Sequence, residues 1–227
     1  MMLRTSLPRL TLFDLDHTLL SGDSDVLWCE FLMAQGILDR ASFAPRNIDM
    51  EARYKQGTVG VQEFADFYVG TLAGQSPAQW QAVRQQFLDE EIIPRIPQAA
   101  RDLVQKHQAT GDWVVMTTAT NRFITELTAQ HLGIADLLAT EPALVQGVFT
   151  GHTQGTLNTR EGKVTRLHAW LAEHGKALAD FHTTAYSDSI NDLPLLQAVN
   201  QPMAVDPDKQ LAVVASQSGW PTLNIHP

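Results

Sequence analysis

The chain has 227 residues, of which 44% are hydrophobic, so it is long enough for one sizeable core with a smaller appended unit. Its formal net charge of -9 and its 16 scattered Lys and Arg residues argue against a nucleic-acid partner, because phosphate contacts need clustered basic side chains. Cys29 is the only cysteine, which excludes an intrachain disulfide and a Cys-rich metal site and indicates a reducing, cytoplasmic location.

The first predicted element is a short buried strand over residues 10–13, which runs into the acidic turn Asp14-Leu15-Asp16-His17-Thr18. A purely structural strand gains nothing from charge at its end, so this strand is predicted to deliver carboxylates to a sheet edge. The same acidic turn interrupts the first apolar run, and we predict no signal peptide. No later run approaches the roughly 18 to 20 apolar residues of a membrane span, and we predict no membrane partner.

The next segment, from about residue 25 to residue 91, has apolar residues at helical spacing. Glycines and prolines predict breaks near residue 36, at 57–60 and at 74–77. We therefore predict a helical cap domain over residues 20–97, inserted after the first strand. Residues 1–19 and 98–227 are predicted to form the core domain.

Beyond the insert, the chain alternates between predicted strands and helices. This alternation predicts an α/β fold with a parallel sheet flanked by helices on both faces. The predicted elements are a helix ending near residue 111, a strand over 113–117 opening into 118–121, a helix over 123–132, a strand near 137–140, a hairpin around 146–147, a helix over 163–174 and a strand over 183–187.

Polar residues follow three of the predicted strands. They are Asp14 and Asp16 after the first strand, Thr118 after the strand at 113–117, and Asp188 after the strand at 183–187. Ligands of open parallel sheets bind beyond the carboxyl ends of the strands. The sequence therefore predicts that these residues meet in one site.

The residue types of this site suit phosphoryl transfer. Asp14 can attack phosphorus, and Asp16 can act as general acid for the leaving alcohol and then as general base for water. Lys163 can neutralise a phosphate oxygen and hold Asp14, while the Thr118 hydroxyl donates to another oxygen. Because close carboxylates repel one another and the phosphate, we predict Mg²⁺ on oxygen ligands from Asp14 and Asp188.

Four motifs in this order resemble those of the haloacid dehalogenase (HAD) superfamily, and within it the phosphoserine-phosphatase-like branch, subfamily IB. The motifs are Asp14-Leu15-Asp16-His17-Thr18, Thr118, Lys163 and Asp188-Ser189-Ile190-Asn191-Asp192. The resemblance spans nearly the whole chain and implies a Rossmannoid core with a small helical cap of the C1 type. The resemblance is specific because four motifs occur in the expected order, whereas a single DxDxT motif would be common by chance.

The resemblance also implies roles for these residues. Asp14 is expected to be nucleophile and metal ligand, Asp16 to bind the metal through its backbone carbonyl, and Asp188 to complete the protein ligands. Asn191 and Asp192 are expected beside the metal, with Asp192 supporting its waters or Lys163. The second Asp of the first motif favours hydrolysis of phosphate esters over the other reactions of the superfamily.

The predicted cap implies a small phosphorylated metabolite as substrate, because lids exclude water and macromolecules. Asp23 stands at the offset where phosphoserine phosphatases have a Glu that reads the substrate amine, and this substitution argues against phosphoserine itself. The stretch 20–25 and Trp28 resemble some histidinol-phosphate phosphatases instead. Arg53, and also Arg46, are predicted substrate contacts, because Arg offers a bidentate fork to carboxylate or phosphate.

The sequence thus predicts a Mg²⁺-dependent phosphatase that acts on a small phosphate monoester through an aspartyl-phosphate on Asp14. A phosphotransferase or phosphomutase using the same intermediate remains an alternative, as does a non-catalytic phosphometabolite-binding protein. We expect a monomer or homodimer. His17 is expected to point away from the site, and the choice between magnesium and manganese stays open.

Overall fold

The structure, a computed structural model, describes residues 7–226 and contains a seven-stranded sheet. In chain order the strands are β1 (Arg9–Phe13), β2 (Trp113–Asn121), β3 (Asp136–Val145), β4 (Val148–Gln154), β5 (His182–Ser187), β6 (Gln201–Val205) and β7 (Thr222–Leu223). Their spatial order is β4-β3-β2-β1-β5-β6-β7, and only the β3–β4 pair is antiparallel. The predicted α/β fold with a mostly parallel sheet is confirmed.

Within residues 7–226 there are nine α-helices. They are α1 (Ser24–Ala34), α2 (Arg40–Lys55), α3 (Val61–Val69), α4 (Pro77–Phe87), α5 (Gln98–Ala109), α6 (Arg122–His131), α7 (Glu161–Glu173), α8 (Leu193–Ala198) and α9 (Lys209–Ser218). None of these helices is long and apolar enough to cross a bilayer.

Helices α1 to α4 follow one another between β1 and α5, in the predicted cap segment, and we call these four helices the cap. The three breaks predicted from glycines and prolines fall between successive members of this group, which confirms them. The domain boundaries at residues 19 and 97 stay predictions. Residues 1–6 and 227 of the predicted core domain lie outside the described part of the chain.

Two strands are longer than the sequence indicates. Residues 118–121, expected to leave the sheet, continue β2 with a register shift between Thr118 and Asn121. Strand β3 continues to Val145, where the predicted hairpin turns through Gln146 and Gly147 at φ of 51° and 79°. Two positive φ values are what a tight two-residue hairpin requires, and the predicted turn is confirmed.

Buried side chains cover both faces of the sheet and extend into the cap. One cluster joins Phe13 of β1 to Trp28 of α1 and to Phe87 of α4, with the Trp28 and Phe87 rings 5.0 Å apart and edge to face. A second cluster packs Leu12 against α7 and α8. Helices α2 and α3 share a third, separate cluster with α1, which includes Tyr68. Part of the cap is thus continuous with the core, and part has packing of its own.

Candidate active site

The turn after β1 brings the first and fourth motifs together. Asp14 directly follows the strand, and its backbone N–H donates to the carbonyl of Tyr186 in β5, 3.0 Å away. The Thr18 hydroxyl lies 3.2 Å from Asp14 Oδ2 and 3.0 Å from Asp188 Oδ1. Parallel pairing of β1 with β5 therefore places two acidic side chains, distant in sequence, around one buried hydroxyl.

Lys163 lies at the centre of the site. Its Nζ donates to Asp14 Oδ1 at 2.7 Å and to Asp192 Oδ2 at 2.6 Å, and only 2% of the side chain is exposed. Burial alone would lower the pKa of Lys163, but the carboxylates of Asp14 and Asp192 raise it above its ordinary value. Lys163 is therefore a fixed cation. Its contact with Asp14 is the one that the sequence predicted.

The loop before α7 determines where Lys163 lies. A Cβ on Gly162 would come 2.0 Å from the carbonyl oxygen of Leu157, so this close approach requires glycine. Asn158 is fully buried, and its Nδ2 lies 3.0 Å from Thr117 Oγ1 and 2.9 Å from the carbonyls of Thr118 and Leu138. The loop is thereby attached to β2 and β3.

Asp16 is held on the side of the site that faces the cap. Its carboxylate accepts from the Ser24 backbone N–H at 2.7 Å, from Thr120 Oγ1 at 2.9 Å and from Thr118 Oγ1 at 3.2 Å. Thr118 was predicted to donate to phosphate, whereas here its hydroxyl donates to Asp16. Thr120 is a site residue that the sequence reasoning missed; the alternation of a strand, which puts residues 118 and 120 on one face, is the signal that indicates it.

The charge balance of the site fits a divalent cation. Burial raises the pKa of Asp14 to about 7, against the opposing effect of Lys163 and with help from Asp192 and Asp16. Burial, followed by repulsion from Asp14 and Asp192, raises the pKa of Asp188 to about 9. Burial and mutual repulsion make the ionised forms of these carboxylates unfavourable, and a nearby cation stabilises them. Hard oxygen donors of this kind suit Mg²⁺.

The metal ligands implied by the family resemblance stay predictions. Those ligands are two carboxylates, Asp14 and Asp188, and the backbone carbonyl of Asp16. Within residues 7–226 no group of three or more His, Cys, Asp or Glu side chains is placed to hold a metal ion, so any site here must combine carboxylates with other oxygens. Asp192, expected beside the metal, is bound to Lys163 and to Ser187 Oγ at 2.8 Å.

Asn191, also expected beside the metal, instead connects the core to the cap. Its Nδ2 donates to Tyr54 Oη of α2 at 3.1 Å, and its Oδ1 accepts from Arg160 Nε at 3.3 Å. The cavity between cap and core has a volume of about 120 Å³. Its lining consists of Asp14, Asp16, His17, Asp23, Asp25, Tyr54, Phe64, Ala119, Thr120, Thr159, Lys163, Asp188, Ser189, Asn191 and Asp192. His17 lines this cavity, contrary to the expectation that it points away.

Two acidic side chains at the start of α1 face the same cavity. Asp23 accepts from the backbone N–H groups of Asp25 and Val26, both at 3.0 Å, and so caps the helix. Burial, with repulsion from Asp16, raises the pKa of Asp23 to about 7. Burial, with repulsion from Asp23, also raises the pKa of Asp25 well above its ordinary value. The predicted substrate residue Asp23 is thus in the site, beside a second carboxylate.

The two cap arginines lie elsewhere. Arg53 pairs with Glu63 at 3.0 Å and with Asp49 at 3.7 Å, while Arg46 lies over the rings of Phe43 and Phe67, 5.5 Å from each centroid. Both line a separate groove between α2 and α3. The structure does not bring the predicted substrate contact Arg53 into the active-site cavity.

Comparison with known sequences and structures gives three informative similarities. A histidinol-phosphatase of Neisseria meningitidis serogroup C is 39% identical over 95% of this chain and 98% of its own. The phosphoserine phosphatase SerB1 of Mycobacterium tuberculosis is 31% identical over 92% of this chain and 68% of its own. A protein of unknown function from Bordetella pertussis Tohama I, known from its crystal structure, superposes with a TM-score of 0.94 at 42% identity, covering 97% of this chain and 100% of that one.

The family assignment comes from the region that carries all four motifs. Residues 11–197 match the haloacid dehalogenase-like hydrolases, which covers every side chain of the site described above. This chain therefore belongs to the haloacid dehalogenase-like hydrolase family.

Proposed function

We propose that this protein is a Mg²⁺-dependent phosphatase that hydrolyses small phosphate monoesters through an aspartyl-phosphate on Asp14. The observation that carries the proposal is the arrangement of Asp14, Lys163 and Asp16. Lys163 holds one oxygen of Asp14 in place, and Asp16 is held separately by hydroxyls on the cap side. A nucleophile and an acid/base with different partners are what a two-step hydrolysis needs.

In the first step an oxygen of Asp14 bonds to phosphorus as the ester P–O bond breaks, and the Asp16 carboxyl gives its proton to the leaving alkoxide. In the second step Asp16 takes a proton from water as the water oxygen attacks phosphorus, which releases phosphate and restores Asp14. Lys163 keeps Asp14 oriented and offsets negative charge in both steps.

Asp14, Asp188 and the Asp16 carbonyl are the groups that would hold Mg²⁺. The ion would supply charge neutralisation for the phosphate oxygens, which Lys163 supplies only in part. This assignment is supported by the raised pKa of Asp188, whose first cause is burial and whose next is repulsion from Asp14.

The substrate class that we propose is the phosphate ester of a small amino-bearing metabolite. Histidinol phosphate and phosphoserine, the substrates in the names of the two relatives, both belong to this class. Asp25, which is buried, and Asp23, which is half-buried, support it, because carboxylates withdrawn from water favour a cationic partner.

The first experiment measures phosphate release from p-nitrophenyl phosphate with Mg²⁺ and with EDTA. The proposal predicts release with Mg²⁺ only. It also predicts that Asp14→Asn lowers kcat by at least about a thousandfold, the scale seen when one member of a coupled catalytic unit is lost. Asp102→Asn, at an exposed carboxylate on α5, serves as the matched control and should keep full activity. Wild-type turnover by Asp14→Asn, or full activity in EDTA, would contradict the proposal.

A further inference from the structure

Two aromatic side chains of the cap form one wall of the active-site cavity. Tyr54 of α2 and Phe64 of α3 stack with ring centroids 3.9 Å apart and planes 24° apart, and both line the cavity. The Tyr54 hydroxyl accepts from Asn191 Nδ2 at 3.1 Å and also hydrogen-bonds the Thr159 side chain. The wall is therefore held above the fourth motif by polar contacts of Tyr54 to the core.

Next to this wall lies a small, mainly apolar recess. It shares Tyr54, Phe64, Ala119 and Thr159 with the active-site cavity, and its remaining lining is Val61, Ala65, Thr140 and Leu157. The recess has a volume of only about 10 Å³, so it extends the apolar lining and does not itself hold a ring. The aromatic side chains that line the cavity favour a flat group, since stacked or offset rings gain about 0.5 to 1.5 kcal/mol beyond the area they bury.

The charges of the cavity select against a carboxylate on the leaving group. Among the lining residues that the structure describes, Lys163 is the only Lys or Arg, and Asp14 and Asp192 already bind it. Arg53, which the sequence offered for a substrate carboxylate, pairs with cap carboxylates in another groove. A buried carboxylate without a partner has an uncompensated desolvation cost, whereas Asp23 and Asp25 offset the desolvation cost of a nearby ammonium.

We propose that Tyr54 is a specificity-determining residue, and that it selects phosphate esters whose leaving group carries both a flat ring and an ammonium group over those that carry a carboxylate. The ring of the leaving group lies against Tyr54 and Phe64, and the ammonium faces Asp23 and Asp25. This inference rests on the proposed phosphatase function and names the leaving group of the same site.

The size of the cavity gives the Tyr54 hydroxyl a second part in this selection. At about 120 Å³ the cavity is smaller than the roughly 300 to 1,000 Å³ of ordinary ligand pockets, so a substrate enters only when the cap moves away from the core. That movement breaks the Tyr54–Asn191 hydrogen bond, which re-forms over a bound leaving group. The ring of Tyr54 thus provides contact, and its hydroxyl provides closure.

The test compares kcat/KM for four esters with Mg²⁺. Histidinol phosphate has ring and ammonium, phosphoethanolamine has only the ammonium, phosphoserine adds a carboxylate, and p-nitrophenyl phosphate has only the ring. We expect the wild type to prefer histidinol phosphate to phosphoethanolamine and to phosphoserine by at least about tenfold, the discrimination that one apolar pocket contact provides.

The variants separate the ring from the hydroxyl. Compared with Tyr54→Phe, which also lacks the hydroxyl, Tyr54→Leu should lower kcat/KM for histidinol phosphate about tenfold, mainly through KM, and leave phosphoethanolamine within about twofold. Tyr54→Phe keeps the ring and should keep the preference, with a higher KM for all four esters because closure is weaker. Phe67→Leu is the matched control, because Phe67 lies on α3 but lines the other groove. It should change neither the preference for histidinol phosphate nor the KM values. Thermal melting of each variant verifies folding.

Three results would overturn the inference. An equal loss on all esters in Tyr54→Leu, measured relative to Tyr54→Phe, would show that the ring of Tyr54 supports the cap rather than contacting the leaving group. Hydrolysis of p-nitrophenyl phosphate by the wild type without any preference for histidinol phosphate would remove the specificity and leave the phosphatase proposal standing. If the protein hydrolysed none of the four esters, with or without Mg²⁺, both the phosphatase proposal and the specificity would be removed.

Discussion

Asn158 shows how a residue outside the motifs determines the position of a catalytic one. Its amide nitrogen contacts three acceptors within β2 and β3. Asn158 itself lies four and five residues before Gly162 and Lys163 in the chain. All three partners are oxygen atoms, so the side chain at this position must donate. These hydrogen bonds fix the loop that precedes α7 and so determine where Lys163, in the first turn of that helix, is placed.

We predict that Asn158→Asp destabilises the protein by about 3 to 5 kcal/mol, the scale for an unpaired buried charge, because a carboxylate then faces the carbonyls of Thr118 and Leu138. Urea unfolding followed by circular dichroism measures the change. Asn200→Asp is a useful comparison, because the Asn200 side chain contacts Thr183 through Oδ1, which acts as acceptor and which aspartate retains. Equal midpoints for wild type and Asn158→Asp would show that the amide donor is dispensable.

At this scale the sequence identified the motif residues and missed their supports. Asp14, Asp16, Lys163 and Asp188 carry a chemical signal in their type and spacing. Asn158 and Tyr54 have no such signal, because each acts on a partner that only the fold brings near. Thr120 is indicated only by its place two residues after Thr118 in the same strand. The same reason explains Arg53: a fork suited to a substrate carboxylate equally suits Glu63 one helix away.

Among the elements, the junction of α5, β1 and β2 depends on Asp112. Its carboxylate contacts Arg9 Nε, Thr11 Oγ1 at 3.0 Å and His107 Nδ1 at 2.6 Å. Burial raises the pKa of Asp112, but the hydrogen bonds from His107, Thr11 and Arg9 outweigh it, and the net shift is below the ordinary value. The ionised form of this side chain therefore stabilises the fold.

The sign of the pH dependence follows from that shift. The unfolded chain binds the Asp112 proton more readily, so the stabilisation is full above the unfolded pKa near 3.8 and is lost as the pH falls through the lower folded value. We predict that Asp112→Asn lowers the free energy of unfolding at pH 7 by about 1 to 3 kcal/mol, the cost of unsatisfied partners. It should also flatten the acid limb of stability. Urea unfolding between pH 3 and 7 checks both, and an acid limb as steep as that of the wild type would count against this role.

Strong local patterns made most elements predictable. The cap helices follow apolar spacing bounded by glycines, and the hairpin follows Gln146-Gly147. The sequence ended β2 too early because polar residues 118–121 suggest a loop. They stay in the strand because β3 pairs with them across a register shift and because Asp16 receives their hydroxyls.

Over the whole molecule, the site depends on strand order. The order β2-β1-β5 places Thr118 of β2 beside Asp14 and Asp188, which directly follow β1 and β5, and Lys163 reaches Asp14 from α7. The sequence predicted a parallel sheet and a converging site, but it did not predict how the cap is seated. That depends on the long-range contact of Tyr54 with Asn191 and on the separate packing of α2 and α3, which no local pattern encodes.

The central claim is that Asp14 carries the phosphoryl group, and trapping that species tests it most directly. Wild-type protein is mixed with Mg²⁺ and excess p-nitrophenyl phosphate, quenched in acid within one turnover, digested and analysed by mass spectrometry. The account predicts one phosphoryl group on Asp14 in the wild type and none in Asp14→Asn. A phosphoryl group on another side chain, or turnover with an unmodified Asp14 at every quench time, would contradict it.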